Sequence, residues 1–115
     1  MQGDLDLRRP RPLAERLYDG VFTDLTLTGG LVECFVSDPA NALEAVMRAT
    51  PNHTNVVVYT PQGRPGVCFE PWTCPPNTFN LAARGVPQHG LTVLGPGASR
   101  EGTMWLSVRP AAERR

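Results

Sequence analysis

The sequence predicts an all-β protein built as an antiparallel β-sandwich. Twelve Pro and 11 Gly are dispersed along the 115 residues and divide the chain into short segments bounded by turn-forming residues. Several of these segments alternate their side chains with the period of two that strands have. Hydrophobic residues make up 41% of the chain, which is enough for one core, and the length suits one domain at most.

The predicted strands follow one another between the turns. Phe22–Leu27 and Leu31–Val36 flank Thr28-Gly29-Gly30 and are expected to form a hairpin. Asn55–Thr60 is apolar on both faces, as in a strand buried within a packed sheet. Thr103–Arg109 alternates most clearly, with its apolar residues on one face. Two shorter candidates are Gly66–Phe69 and Leu91–Leu94.

The segment Asn41–Arg48 fits two structures. Its first residue and Glu44, three positions later, resemble a helix capping box, and the composition favours helix. A period of two fits as well, because alternate residues from Leu43 to Met47 share one face. The two patterns are about evenly balanced. We predict a strand, because the neighbouring segments are strands and Pro51 ends this one early.

Composition and charge exclude several classes of function. The formal net charge is zero, with 11 basic and 11 acidic residues, which does not suit a nucleic-acid or anionic-membrane surface. No apolar run approaches the roughly 20 residues of a membrane span, and the N-terminus lacks the apolar core of a secretory signal. We therefore expect a cytoplasmic protein. We further expect one partial domain over residues 1–115, with loose tails at 1–12 and 110–115.

Cysteine and histidine do not suggest a metal site or a disulfide framework. The three cysteines are an odd number without a CxxC motif, and they stand with two histidines at spacings unlike those of a structural zinc site. We expect no metal.

Four segments, in this order, resemble aldose 1-epimerases. They are DGVFTDL (Asp19–Leu25), VVYTPQGRP (Val57–Pro65), CFEPWTCPPNTFNL (Cys68–Leu81) and LGPG (Leu94–Gly97). From about Asp4 to Val108, the chain is similar to the C-terminal portion of a galactose-mutarotase-type protein. The resemblance implies part of a large antiparallel β-sandwich. It also implies interconversion of sugar anomers by ring opening, without metal or organic cofactor.

The resemblance assigns roles to three residues. Glu70 stands at the position of the general base, which takes the proton of the anomeric hydroxyl. Asp19 matches an aspartate that binds sugar hydroxyls, and Trp72 offers an apolar face to sugar C–H groups. The general acid of the family is a histidine in an upstream motif, His-x-Tyr-Phe-Asn. No segment here matches that motif, and His53 and His89 stand in other contexts.

Two departures from the family leave the substrate open between a monosaccharide and a sugar phosphate. Gly20 stands where family members often have His, and Val57 stands where many have Gln. Structural roles also remain open for the three site residues. In this alternative interpretation, the Glu70 or Asp19 carboxylate fixes a turn, and Trp72 packs against other apolar residues.

We therefore expect an aldose 1-epimerase-like isomerase whose acid comes from elsewhere. The alternative is a non-catalytic carbohydrate-binding or interaction module. Part of a sandwich leaves apolar strand faces uncovered, so the sequence also predicts self-association or pairing with a missing N-terminal portion. The residues expected on such a surface are Leu25, Val36, Val57, Val58 and Val93.

Overall fold

The computed structural model describes residues 6–13 and 16–111. Within them the chain forms β1 (Asp19–Phe22), β2 (Leu27–Thr28), β3 (Leu31–Asp38), β4 (Leu43–Ala49), β5 (Asn55–Tyr59), β6 (Cys68–Trp72), α1 (Thr78–Ala83) and β7 (Met104–Pro110). The strands form a three-stranded sheet of order β1-β5-β6 and a four-stranded sheet of order β2-β3-β4-β7. Every pairing is antiparallel. The predicted all-β, sandwich-like fold is confirmed.

The core lies between the two sheets. Its buried cluster takes Val32 and Met47 from the four-stranded sheet and Val56 and Val58 from the three-stranded sheet. Strand alternation explains this, because residues two apart on a strand point to the same face. Tyr18, just before β1, joins the cluster and extends the small sheet, since its carbonyl accepts the Thr60 N–H at 2.8 Å.

Three of the predicted strands form close to their predicted bounds. β4, β5 and β7 each lie within two residues of the predicted bounds, and Asn41–Arg48 is a strand and not a helix. The hairpin between β2 and β3 also forms, with Gly29 and Gly30 at φ values of 58° and 80° in the left-handed region that glycine tolerates.

The prediction of one strand over Phe22–Leu27 is wrong. β1 ends at Phe22, and β2 begins only at Leu27. Between them Asp24 has a φ of 52°, which breaks the extended backbone. The break lets the chain leave the three-stranded sheet and enter the four-stranded one.

Two further differences lie after β5. Leu91–Leu94 is an irregular segment, preceded by Gly90 at a φ of 82°, because no neighbouring strand pairs with it. The predicted short strand Gly66–Phe69 begins later, at Cys68, and continues to Trp72. It includes Pro71, which an edge strand tolerates.

The predicted tails are only partly described, since residues 1–5 and 112–115 lie outside the described part. Residues 6–12 contain no strand, but Leu7 packs against the core, as does Leu13. At the other end, Pro110 is the last residue of β7. The Ala111 N–H continues the ladder by donating to the Ala42 carbonyl at 2.9 Å.

The uncovered apolar surface lies mainly on β7, where the sequence did not place it. Val93 is 82% exposed as expected, but Val58 is buried in the core. Leu25, Val36 and Val57 are half-buried. The most exposed large hydrophobic residues on the strands are Leu106 at 74% and Val108 at 67%. The reason is sheet order: β7 is an edge strand, and the three-stranded sheet covers β3 and β4 but stops short of it.

Candidate functional site

The three predicted site residues belong to the three-stranded sheet, whose central strand β5 fixes the two faces. Val56 and Val58 are buried in the core. Asn55, Val57 and Tyr59 therefore point to the opposite side. We call that side the outer face.

The pairing register brings all three predicted residues to the outer face. Asp19 of β1 is opposite Tyr59, and on β6 Glu70 is opposite Val57 while Trp72 is opposite Asn55. Since directly paired residues lie on the same side of a sheet, Asp19, Glu70 and Trp72 share one surface. The complete face consists of Asp19, Val21, Asn55, Val57, Tyr59, Cys68, Glu70 and Trp72.

Glu70 lies in the middle of β6, half-buried on this surface. Its Oε2 atom accepts a hydrogen bond from the indole Nε1–H of Trp72 at 3.3 Å. The two side chains are neighbours because they are two residues apart on one strand. The hydrogen bond orients the carboxylate and keeps the aromatic ring beside it. Glu70 is thus a strand residue, and the alternative role of fixing a turn does not apply.

Asp19 begins β1 and is exposed to solvent. The residue after it, Gly20, is itself part of the strand and pairs with Val58, so Asp19-Gly20 is not a turn. Glu70 is two strands and two residues away. Standard strand spacings separate the two Cα atoms by roughly 12 Å. Tyr59, opposite Asp19 and 39% exposed, adds a phenol to the space between them.

The outer face is an open surface and not an enclosed pocket. A depression of about 560 Å³ adjoins it through Asn55, the strand partner of Trp72. The other residues lining this depression are Thr23, Thr54, Pro75, Gln88 and Gly90. A smaller one of about 200 Å³ lies beside α1, with Phe79 and Arg100 in its wall. Asp19, Glu70 and Trp72 line neither of these two depressions.

The two histidines of the chain belong to other parts of the fold. The His53 Nδ1 lies 2.9 Å from the Thr50 carbonyl oxygen, so this nitrogen carries a proton and donates it. The His89 Nδ1 accepts the Leu91 N–H at 3.0 Å, so its proton is on Nε2 in the neutral form. Neither residue is on a strand of the outer face, and neither has a hydrogen bond to Glu70.

The described residues contain neither a candidate metal centre nor a helix that could cross a membrane. Within 6–13 and 16–111, no group of three or more His, Cys, Asp and Glu side chains could hold a metal ion. No helix in the same part of the chain is long and apolar enough to cross a membrane.

Comparison with protein-family models, curated proteins and solved structures finds no match for this chain. The aldose 1-epimerase resemblance therefore depends on the four sequence segments.

Proposed function

We propose that the outer face binds a monosaccharide or sugar phosphate, with Glu70 as the base of an aldose 1-epimerase-type reaction. One observation supports this most strongly: the strand register gathers Asp19, Glu70 and Trp72 on one surface. Three of the four family-like segments each supply one strand of this sheet, namely β1, β5 and β6. The resemblance and the geometry thus concern the same element.

The side chains on this face have the chemistry that sugar binding requires. The Asp19 carboxylate can accept hydrogen bonds from neighbouring hydroxyls, and charge-assisted bonds are the stronger kind. The Trp72 ring offers an apolar wall to sugar C–H groups, while its N–H is already satisfied by Glu70. A few oriented polar groups beside an apolar surface are the usual composition of a ligand site.

In the proposed reaction, Glu70 takes the proton from the anomeric hydroxyl. The bond between C1 and the ring oxygen breaks, its electron pair goes to the ring oxygen, and an acid protonates that oxygen. Rotation about the C1–C2 bond and closure give the other anomer. The Nδ1 atoms of both histidines are hydrogen-bonded within their own loops, so we assign the acid to water or to a group from another polypeptide. Without a positioned acid we expect slow turnover, since such proton transfer contributes about 10²–10⁴-fold.

The second candidate function is sugar binding without catalysis. The positions of the two histidines favour it, because binding does not need the acid. The two candidates share the site and differ only in turnover.

One pair of measurements tests both candidates. Sugar binding is followed by NMR titration with glucose, galactose and their 6-phosphates, and anomer exchange by polarimetry. We expect Asp19→Asn to weaken binding about tenfold or more, since it removes a charged acceptor. We expect Glu70→Gln to retain binding and to abolish the catalysed rate. Glu101→Gln, at an exposed acid outside the face, is the matched control.

The outcomes are distinct. Binding with a catalysed rate that needs Glu70 supports the isomerase. Binding without any rate enhancement selects the binding module. A catalysed rate that Glu70→Gln leaves unchanged would remove Glu70 from the mechanism, and failure to bind any of the four sugars would refute both candidates.

A further inference from the structure

The free edge of β7 exposes backbone hydrogen-bonding groups. β7 ends the four-stranded sheet, next to β4. The Thr50 N–H donates to the Thr103 carbonyl at 3.0 Å, and the Ala111 N–H donates to the Ala42 carbonyl at 2.9 Å. In an antiparallel pair only alternate residues bond to a given neighbour. The odd-numbered residues of β7 therefore face β4, and the N–H and C=O groups of Leu106 and Val108 point away from the sheet.

β7 is also the least protected of the four sheet edges. β2 has two residues, β1 has four and begins with Asp19, and β6 contains Pro71. β7 has seven residues, and its run Met104–Val108 contains neither a charge nor a proline. Proteins usually protect such edges with charges, prolines or bulges. No described strand pairs with the outward side of β7.

The side chains of β7 add apolar surface to this edge. Leu106 and Val108 are 74% and 67% exposed on the face that continues the core, where their strand partners are Met47 and Ala45. Trp105, on the opposite face, is 47% exposed. Single exposed apolar residues are ordinary, whereas consecutive ones along an unpaired edge indicate an interaction site.

The accessible surface of the molecule is larger than a compact monomer needs. It is 8630 Å², roughly 40% more than the size scaling gives for a 12.5 kDa chain. The radius of gyration is 16.0 Å, against about 13 Å for a compact domain of this length. The chain is thus less compact than a typical monomer of its length, and the apolar surface of β7 is open to a partner.

We propose that β7 pairs antiparallel with β7 of a second copy of this chain, around a two-fold axis at Ser107. In this register Leu106 lies opposite the partner's Val108, and these residues exchange both of their outward backbone hydrogen bonds. The two-fold axis generates the same pair of hydrogen bonds between Val108 and the partner's Leu106. The two four-stranded sheets thereby join into one sheet of eight strands. A strand that meets its own copy in this way forms a closed, isologous contact.

The charge pattern beside the edge is compatible with a second copy in this register. The Arg109 guanidinium is held by Glu44 at 2.7 Å, and that of Arg48 by Glu33 at 2.9 Å. Trp105 pairs with Arg48 in its own sheet, and the two-fold register places the partner's Arg109 on its other side. Each indole thus faces the aliphatic stem of an arginine whose charge is already paired within its own sheet. No like charges face each other directly, and the zero net charge of the chain adds no long-range repulsion.

A single pair of seven-residue strands is smaller than the standard interface of about 800 Å² per partner. We therefore expect a weak dimer in exchange with monomer. Sedimentation equilibrium from about 10 μM to 1 mM should yield its dissociation constant. Leu106→Lys and Val108→Lys should each weaken dimerisation tenfold or more, because a charge replaces an apolar edge contact. Both residues are exposed, so circular dichroism should show an intact fold.

A double variant tests the register itself. Leu106→Glu combined with Val108→Lys places opposite charges face to face in the proposed pairing, twice per dimer. It should restore dimerisation to within about threefold of the wild type, whereas a register centred on Leu106 would set glutamate against glutamate. Val93→Lys is the control. It also replaces an exposed apolar side chain by a cationic one, but Val93, which is 82% exposed, lies outside the β7 edge. This variant should leave the dissociation constant of the dimer unchanged.

A wild-type chain that stays monomeric to 1 mM would overturn the proposal. So would a dimer that the single β7 variants leave intact, because its contact would then lie elsewhere. Both outcomes are independent of sugar binding, which involves the other sheet.

Discussion

At the scale of single residues, two cysteine thiols have opposite environments. Cys34 lies on β3 and packs against the core, and burial raises its pKa to about 11. Cys68 is exposed on the outer face, opposite Tyr59. The folded pKa of Cys34 is above its ordinary value of 9.0, so burial of the neutral thiol stabilises the fold fully below pH 9. That contribution is lost as the pH rises through about 11.

Alkylation should distinguish the two thiols. Only the thiolate reacts, and at pH 8 about one Cys34 side chain in a thousand is a thiolate. We expect iodoacetamide to modify Cys68 in the folded protein while Cys34 remains unmodified, as measured by peptide mass spectrometry. Bound sugar should slow the modification of Cys68. Unfolding in guanidinium provides the control, since it should equalise the two rates. Equal rates in the folded protein would contradict the burial of Cys34.

The sequence predicts only those parts of the candidate site that depend on residues close together in the chain. Glu70 and Trp72 are two residues apart on a strand, so their shared face follows from the sequence once the strand is known. The position of Asp19 on the same face depends on the pairing of β1 with β5, which local sequence does not specify. The contribution of Tyr59 was missed because the segment Asn55–Thr60 is apolar at nearly every position and its alternation is hidden.

At the scale of elements, the turn between β3 and β4 explains why Asn41–Arg48 is a strand. The Asp38 carboxylate accepts the Ala40 N–H at 3.1 Å and the Asn41 side-chain N–H at 2.7 Å. Asn41 therefore closes a turn and does not cap a helix. Glu44 does not reach back as a capping box requires, because its carboxylate binds Arg109 at 2.7 Å on β7. Contacts distant in sequence thus decide between two locally balanced patterns.

This turn should make stability depend on pH. The hydrogen bond from Asn41 holds the pKa of Asp38 below its ordinary value of 3.8. A lowered folded pKa means that the contribution is present above about pH 4 and is lost as the pH falls through the folded pKa. We expect Asp38→Ala to lower the Tm at pH 7, with the difference from the wild type shrinking toward pH 2. A difference that is constant with pH would show that the carboxylate charge is not involved.

The remaining elements show where sequence patterns are insufficient. The predicted bounds of β4, β5 and β7 are close to the observed ones, because each strand pairs along its whole length with a neighbour. Leu91–Leu94 has the composition of a strand but lacks such a neighbour. Helix α1 has only six residues and follows two prolines, so its periodic pattern is too short to recognise.

At the scale of the whole molecule, the core is small and covers the two middle strands of the four-stranded sheet. Its members from that sheet come from β3 and β4, while the β7 residues on the same face are exposed. The resemblance to part of a sandwich predicts an uncovered apolar face. Its location was not predictable, because it depends on the order β2-β3-β4-β7, in which the last strand of the chain pairs with β4.

Association through β7 should therefore contribute to stability. A dimer that forms only from folded chains raises the apparent stability by mass action, so the Tm should increase with protein concentration. For a chain of 115 residues, we expect roughly 3 °C for each tenfold increase above the dissociation constant. Leu106→Lys should give a Tm that does not change with concentration and that equals the wild-type value at high dilution. Calorimetry at several concentrations measures both. A wild-type Tm that is equally constant would mean that β7 pairing adds nothing to the stability of the fold.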